Sequence, residues 1–307
     1  MRAFVSEISS HTIRRITPAG VVTTVAGLSG TSGTNNGNGT AARFHTPVTV
    51  EVDHNGFLYV GDFNNQMIRK ISPAGDVTTL AGLPDLVGRQ DGPLTEARFN
   101  APHTCLPDNR GNVYVADLSN RAIRKIGADG FVTTFAGLAG NSGTNDGIGV
   151  FARFAGPWGL VFEPTGNLLV TDRENNTIRR VAPYGTVKTI AGVAGVDGSA
   201  NGRGTSATFF RPRGIALTSD GNLFVVDTGN QTIRIGRPDP SLRVSHSSGQ
   251  LVLSWPLWTT NYQLENAATL MPANWSSFSG SPTVAGDRRF VTNSTVEPSL
   301  FFRLRSP

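Results

Sequence analysis

The sequence predicts an all-β protein: a β-propeller built from a 55-residue repeat, followed by a small β-sandwich. Three observations lead to this fold class. Among the 307 residues are 36 Gly and 18 Pro, and only 16% are charged, which favours short strands joined by turns. Each repeat contains four β-rich runs, the strand content of one propeller blade. The dipeptide Ile-Arg recurs at intervals of 55 residues, beginning at Ile13, Ile68, Ile123, Ile178 and Ile233.

The unit that follows Pro102 shows the four predicted strands clearly. Thr104-Cys105-Leu106 begins the first strand, and Asn112–Ala116 forms the second. Ala122–Ile126 and Phe131–Phe135 form the third and fourth. The connecting segments are rich in Asp, Asn and Gly, the residues that favour tight turns. The unit therefore reads as a four-stranded antiparallel blade.

Four motifs of the next unit resemble those of NHL repeats. They are Pro157-Trp158-Gly159-Leu160, Gly166–Val170, Asp172–Asn175 and Ile178-Arg179-Arg180. The resemblance covers about residues 3–236 and implies an NHL-type β-propeller, a fold that commonly has six blades. It does not imply one activity, because the family includes interaction modules, RNA binders and a few lyases.

The repeat pattern predicts about five blades, of which the first and last are incomplete. Phe4-Val5-Ser6 aligns with a second strand, so the first blade lacks its first strand. The last blade ends after a third strand at Thr232–Ile235. Two explanations stay open. The chain is truncated upstream from a six-bladed ring, or the incomplete terminal blades of a five-bladed ring meet or recruit a partner that covers their edges.

Composition changes near Arg237-Pro238-Asp239-Pro240, which predicts a propeller over residues 1–236 and a β-sandwich accessory domain over residues 237–307. Leu253-Ser254-Trp255, Tyr262–Glu265 and Phe301–Arg305 resemble the fibronectin-III-like module that ends many secreted planctomycete and verrucomicrobial proteins. That resemblance implies a bacterial protein with an extracellular or periplasmic location. The chain as written shows neither a signal peptide nor an apolar run long enough to span a membrane.

About 20 residues connect each blade to the next, which is long for a connection and typical of functional loops. Each loop contains an Asn-Gly or Asp-Gly turn and ends in a sequence like Ala-Arg-Phe, where we expect one helical turn that places the Phe between blades. The loops open on the same face as the turns between second and third strands. We expect a ligand on this face. The candidate contact residues are Asp62, Asp117, Asp172, Asp227, Arg43, Arg98, Arg153 and Trp158.

These candidates also have structural interpretations. Asp at the start of an Asp-x-x-Asn turn commonly caps its own backbone amides. Trp158 departs from the repeat, since Val48, His103 and Arg213 occupy its position in other units. We expect no cofactor, with calcium as the alternative, because the Asn/Asp-Gly-x-Gly loops faintly resemble calcium loops. No pair of the five His residues has metal-ligand spacing, and we assign no catalytic residue and no metal ligand.

The loop chemistry repeats without converging catalytic groups, which predicts a non-catalytic binding or scaffold propeller for a protein or glycan partner. Two alternatives remain. One is a propeller hydrolase or lyase with a metal in the central channel, so enzymatic activity stays open. The other is RNA binding through a basic face, which the formal net charge of +5 permits. The long loops lack the series of aromatic residues on which single-stranded nucleic acid stacks, and this disfavours RNA binding.

Overall fold

The computed structural model describes residues 3–237, 242–247, 250–256, 262–269, 274–285, 288–293 and 300–305. The chain divides into two units, Met1–Gly236 and Arg237–Pro307. Regular structure in the described residues consists of β-strands and six single turns of 3-10 helix. The prolines at the predicted domain boundary, Pro238 and Pro240, lie outside the described residues.

The first unit contains five antiparallel sheets in chain order, of which the first and fifth have three strands and the others have five. The first sheet comprises β1 (Ala3–Glu7), β2 (Thr12–Ile16) and β3 (Val22–Ala26). The second comprises β4 (Gly37–Asn38), β5 (Pro47–Val52), β6 (Leu58–Asp62), β7 (Met67–Ile71) and β8 (Asp76–Ala81). The third comprises β9 (Gly92–Pro93), β10 (Pro102–Pro107), β11 (Val113–Asp117), β12 (Ala122–Ile126) and β13 (Phe131–Ala136).

The fourth sheet comprises β14 (Gly147–Ile148), β15 (Pro157–Phe162), β16 (Leu168–Asp172), β17 (Thr177–Val181) and β18 (Thr186–Ala191). The fifth comprises β19 (Pro212–Leu217), β20 (Leu223–Asp227) and β21 (Thr232–Gly236). The six 3-10 turns are η1 (Gly39–Ala41), η2 (Phe63–Asn65), η3 (Gly149–Phe151), η4 (Arg173–Asn175), η5 (Gly204–Ser206) and η6 (Thr228–Asn230).

Each five-stranded sheet has one strand more than the sequence predicts. The extra strands β4, β9 and β14 lie in the long loops and pair with the last strand of the sheet that follows, as Gly147 does with Val187. The Asn-Gly and Asp-Gly dipeptides were expected to form plain turns, and for Gly37, Gly92 and Gly147 this is wrong. The outer strand of a sheet leaves backbone groups unpaired, and the loop backbone satisfies them.

The sheets pack against one another through hydrophobic clusters, and their first strands β5, β10, β15 and β19 contact each other in succession. Residues from two neighbouring sheets share each cluster, as Val60 and Ile13 do. Phe44, Phe99 and Phe154 from the ends of the long loops are fully buried in these clusters. This confirms the expected placement of Phe between sheets, and the first unit has a propeller-like all-β fold.

The second unit contains two sheets. One comprises β22 (Arg243–Ser247), β23 (Gln250–Pro256), β26 (Thr283–Ala285) and β27 (Arg288–Asn293). The other comprises β24 (Gln263–Ala267), β25 (Ser276–Ser277) and β28 (Phe301–Arg305). Residues from both sheets share a hydrophobic cluster around Trp255. None of the helical turns in the described part of the chain has the length and apolar character needed to cross a membrane.

Candidate functional site

The repeated aspartates lie in buried ion pairs, as Asp117 illustrates. Its Oδ2 accepts hydrogen bonds from Arg124 Nη1 at 2.9 Å and Asn120 Nδ2 at 2.8 Å. Its Oδ1 accepts one from the Asn100 backbone N–H at 2.8 Å. The side chains of Asp117 and Arg124 are 0% exposed. Burial raises the pKa of Asp117, and the guanidinium of Arg124 opposes this shift. The same pair recurs as Asp62–Arg69, Asp172–Arg179 and Asp227–Arg234.

The paired arginine also holds the long loop in place. Arg124 Nη2 donates to Asp91 Oδ1 at 2.6 Å, and Arg124 Nη1 donates to the Arg98 carbonyl at 2.9 Å. Asp91 in turn accepts a hydrogen bond from the Thr134 N–H at 2.9 Å. The guanidinium lies 5.2 Å from the centre of the Phe99 ring. The buried Arg124 guanidinium thus connects the long loop to Asp117 at the end of β11 and, through Asp91, to β13.

This arrangement corrects two expectations about the aspartates. Each carboxylate accepts a hydrogen bond from the backbone of the preceding loop, whereas we expected a cap on its own turn. The side chains are also buried, although we expected them among the ligand contacts. The residues concerned are Asp62, Asp117, Asp172 and Asp227. Their carboxylates therefore hold the preceding loops in position.

The loop arginines Arg43, Arg98 and Arg153 are held within their own loops. Arg43 Nη1 donates to the backbone carbonyls of Thr40 and Ala42. Arg98 donates to the carbonyls of Glu96 and Ala97, and Arg153 follows the same pattern. Each side chain is partly exposed. Each of the three arginines is therefore fixed by the backbone of its own loop.

Trp158 is the candidate around which other functional groups gather. Its ring centre lies 4.0 Å from that of His103. The guanidinium carbons of Arg173 and Arg213 lie 5.1 Å and 4.8 Å from the Trp158 ring centre. Phe63 contacts the other side of the group, with its ring centre 6.4 Å from that of His103. We call Phe63, His103, Trp158, Arg173 and Arg213 the rim cluster.

Strand geometry explains why these residues meet. His103, Trp158 and Arg213 each follow the proline that begins the first strand of a sheet. Hydrogen bonds tie neighbouring first strands together here, since Thr104 Oγ1 donates to the Trp158 carbonyl at 2.7 Å. A Cβ atom on Gly159 would lie 2.4 Å from the Arg213 carbonyl oxygen, so the glycine permits this close approach. The rim cluster therefore lies where the long loops enter the sheets.

The rim cluster is positively charged. Arg173 pairs with Glu174, whereas no described residue accepts a hydrogen bond from Arg213. The Nε atoms of both arginines are buried without a hydrogen-bond partner. Burial lowers the pKa of Arg213, and the nearby charges of Arg173 and Arg211 lower it further, while the carboxylate of Glu174 opposes the shift. Burial also lowers the pKa of His103 to about 3, with contributions from Arg213 and Arg173, so this imidazole is neutral at pH 7.

Our sequence analysis selected Trp158 but missed its partners His103, Arg173 and Arg213. A signal for them was present, because the residue after the strand-initial proline is Val48, His103, Trp158 or Arg213 in successive units. The position of Arg173 also varies, with Phe63, Leu118 and Thr228 as its counterparts. Two variable positions in an otherwise regular repeat therefore mark the cluster.

The loops that we considered for calcium use their side-chain oxygens in another way. Asp146 Oδ1 accepts hydrogen bonds from Arg179 Nη2 and from the Thr189 N–H, both at 2.9 Å. Asn36 and Asn201 accept from Arg69 and Arg234 in the same manner. Across the residues that the structure describes, no group of three or more His, Cys, Asp or Glu side chains could hold a metal ion.

Comparison with known protein families gives a match to the NHL repeat at residues 154–180 and 209–235. These two segments of the chain are similar to NHL repeats. Cattle NHL repeat-containing protein 2 is 28% identical over 219 residues, which is 61% of this chain and 29% of that protein. The chain therefore spans less than a third of this NHL-containing relative.

Solved structures share the fold. A structure described as an auxiliary nutrient binding protein from Bacteroides thetaiotaomicron has a TM-score of 0.55 and 21% identity, over 75% of this chain and 54% of that one. A streptogramin B lyase has a TM-score of 0.50 and 13% identity, over 82% of this chain and 72% of that one. At these identities the similarity supports the propeller-like fold of the NHL repeats and leaves activity undetermined.

Proposed function

We propose that the first unit is a non-catalytic binding module and that its rim cluster binds an acidic glycan. The observation that carries this proposal is the pair of guanidinium groups held against Trp158, one of which, Arg213, donates no hydrogen bond to a described residue. A guanidinium binds carboxylate or sulfate through two parallel hydrogen bonds. The charge of the cluster therefore favours an anionic ligand.

The uncharged members of the rim cluster support a sugar acid as that ligand. His103 is neutral, and the Trp158 ring is partly exposed beside it. The apolar C–H groups of a sugar ring pack well on aromatic edges, while its carboxylate or sulfate meets the arginines. The similar structure described as an auxiliary nutrient binding protein is consistent with ligand binding on this fold.

Binding to an array of uronic, sulfated and neutral oligosaccharides tests the proposal. We expect acidic glycans to bind, and Arg213→Ala to lower their affinity about tenfold or more, because a hydrogen bond between charged groups is lost. Arg121→Ala is the matched control: it removes an arginine that donates to the Gly140 carbonyl on the same face. Equal affinity of Arg213→Ala and the unaltered protein would contradict the proposal. Turnover of the bound glycan would instead favour a lyase.

We further propose that the five sheets are propeller blades, that the second unit is a β-sandwich accessory module resembling fibronectin III, and that the protein is exported. Support for the sandwich comes from the hydrophobic cluster shared by the two sheets of the second unit. Support for export comes from the resemblance of its motifs to modules of secreted bacterial proteins. Fractionation of the source cells tests export, and the finding of the protein in the cytoplasm would contradict it.

A further inference from the structure

A second candidate site lies at the opposite ends of the strands from the rim cluster, between the third and fourth sheets. It is a cavity of about 530 Å³, within the usual range for small-molecule sites. The turns between first and second strands and between third and fourth strands surround it. We call this cavity the turn groove. Its lining includes Asp108, Asn112, Tyr114, Lys125, Phe135 and Phe162.

Comparison with the preceding sheet shows how the turn groove arises. In the second sheet Phe57 packs against the hydrophobic cluster, and Lys70 Nζ lies 4.3 Å from the centre of its ring. In the third sheet, Asn112 occupies the position that corresponds to Phe57, 55 residues later in the chain. Its side-chain amide donates a hydrogen bond to Asp108 Oδ2 at 2.7 Å. Lys125, the counterpart of Lys70, therefore has no aromatic ring at this position to cover it.

Three aromatic rings form the walls of the turn groove. Tyr114 meets Phe135 and Phe162 edge to face, with ring centres 5.1 Å and 5.4 Å apart. Phe162 departs from the repeat, where Val52, Pro107 and Leu217 are its counterparts. Tyr184 follows the lining residue Pro183, is 91% exposed, and stands where other units have Ala or Asp. Departures from the repeat thus bring aromatic surface to this groove.

The carboxylates beside the turn groove are already occupied. Asp108 accepts hydrogen bonds from the backbone N–H groups of Arg110 and Asn112, each at 2.8 Å, and from the Asn112 amide. Glu163 accepts from Asn167 Nδ2 at 2.8 Å and Arg180 Nη2 at 2.7 Å. Neither carboxylate needs a cationic ligand.

Two hydrogen-bond donors of the turn groove, the Lys125 ammonium and the Tyr114 hydroxyl, differ from these carboxylates. Among the described residues, none accepts a hydrogen bond from the Lys125 ammonium or from the Tyr114 hydroxyl. The corresponding hydroxyl of Tyr59 donates to Asp53 Oδ2 at 3.2 Å. Burial and the nearby Asp108 raise the pKa of Tyr114, so its hydroxyl keeps its proton at pH 7. The groove thus combines aromatic walls with a cation and a hydroxyl donor that are unpaired among the described residues.

We propose that the turn groove binds a small carboxylate carried on a ring. The Lys125 ammonium and the Tyr114 hydroxyl would donate to the carboxylate, and the aromatic side chains would flank the ring. Aryl carboxylates and hexuronate sugars share this chemistry. The inference is independent of the glycan proposed for the rim cluster, because the two sites lie at opposite ends of the strands and have no residue in common.

Calorimetric titration of the full chain with 4-hydroxybenzoate and with glucuronate tests the inference. The uncharged probes 4-hydroxybenzamide and methyl glucoside serve as controls. We expect at least one carboxylate to bind and its neutral counterpart to bind far more weakly. Lys125→Met should lower the affinity about tenfold or more, since the charged donor is lost. Asn112→Phe should abolish binding, because it restores the ring that Phe57 supplies in the second sheet.

Lys70→Met is the matched control, because it makes the same substitution where Phe57 already covers the lysine, and it should leave the affinity unchanged. Binding of 4-hydroxybenzoate alone would assign the groove to aryl carboxylates, and binding of glucuronate alone to sugar acids. The inference is overturned if neither carboxylate binds, or if Lys125→Met binds as the unaltered protein does. Binding that is lost in Arg213→Ala but kept in Lys125→Met would place the probe at the rim cluster and also overturn it.

Discussion

Arginine is the residue that the buried pairs require. Arg124 reaches two carboxylates and two backbone carbonyls with its two terminal nitrogens. Its planar fork presents donors in fixed directions, whereas a lysine ammonium would offer a single point of attachment. Such arginines are structural, and because an aspartate neutralises each of them they do not account for the excess positive charge of the chain. Four of its arginines are Arg69, Arg124, Arg179 and Arg234, each paired with a repeated aspartate.

Glu51 makes the stability of the first unit depend on pH. Burial raises the pKa of its carboxyl group to about 7, from a usual value of 4.5. Between these values the folded state binds more protons than the unfolded state. The free energy of unfolding should therefore fall as pH rises through this window, by about 3 kcal/mol in total. Glu51→Gln should remove this fall and should be more stable than the unaltered protein at pH 8.

Urea unfolding at pH 5 and pH 8 measures this effect. Glu96→Gln makes the same change at an exposed loop position and should leave the pH dependence as it is. His103, whose pKa burial lowers to about 3, contributes stability that is lost as pH falls through the range from 6.5 to 3. It contributes equally to both variants, so the difference between them reports Glu51. An unaltered pH dependence in Glu51→Gln would contradict the prediction.

At the residue scale, the sequence identified recurring positions but not the contacts they make. The period marks Asp117 as structural or functional, yet its partners lie both seven residues later and in the preceding loop. A repeat alone does not show how far a side chain reaches across a turn. Trp158 was identifiable because it departs from the repeat. Its partners Arg173 and Arg213 required the packing of neighbouring sheets.

At the element scale, a glycine with a positive φ follows β3, β8, β13 and β18, where the chain leaves the sheet: Gly27, Gly82, Gly137 and Gly192. Gly137 has a φ of +94°, and a Cβ atom there would lie 2.7 Å from the Arg121 carbonyl oxygen. Gly130 has a similar φ of +86°, with no atom within 4 Å of its Cβ position. We expect Gly130→Ala to cost about 1–2 kcal/mol from the left-handed backbone alone. Gly137→Ala should cost roughly 3 kcal/mol or more, because steric overlap adds to the same strain.

Urea unfolding of the two alanine variants at one pH measures these costs. Because the two φ angles are similar, the difference between the variants reports mainly the overlap with the Arg121 carbonyl. Equal losses of stability in Gly130→Ala and Gly137→Ala would show that the close approach of Gly137 to the Arg121 carbonyl does not affect the free energy of unfolding.

The elements that the sequence predicted best are the four long strands of each complete 55-residue repeat. Their Val, Ile, Thr and Phe residues form the β-rich runs by which such strands are recognised. The fifth strands were missed because two residues such as Gly37–Asn38 have no strand pattern of their own. These two-residue strands form by pairing with the open edge of a sheet, and this edge exists only after the sheet has folded.

At the scale of the whole molecule, the two units have separate hydrophobic clusters, which predicts separate unfolding. Differential scanning calorimetry should show two transitions, of which the larger belongs to Met1–Gly236. Gly137→Ala should lower the midpoint of the larger transition alone. Val291→Ala, which removes buried methyl groups from the cluster around Trp255, should lower the smaller one alone. A single transition that both variants shift would contradict the prediction.

The extra strands also determine where one structural repeat ends and the next begins along the chain. The contacts of Arg124 with Asp91, Arg98 and Asp117, and the pairing of β9 with β13, all fall between Gly82 and Gly137. A segment that is cut after these glycines keeps its ion pairs and its extra strand, β9 in this example, together. A cut at the strand-initial prolines separates Asp91 from Arg124. Chimaeras with related propellers should therefore be joined at the Ala-Gly dipeptides, where the exchanged segment carries its own loop.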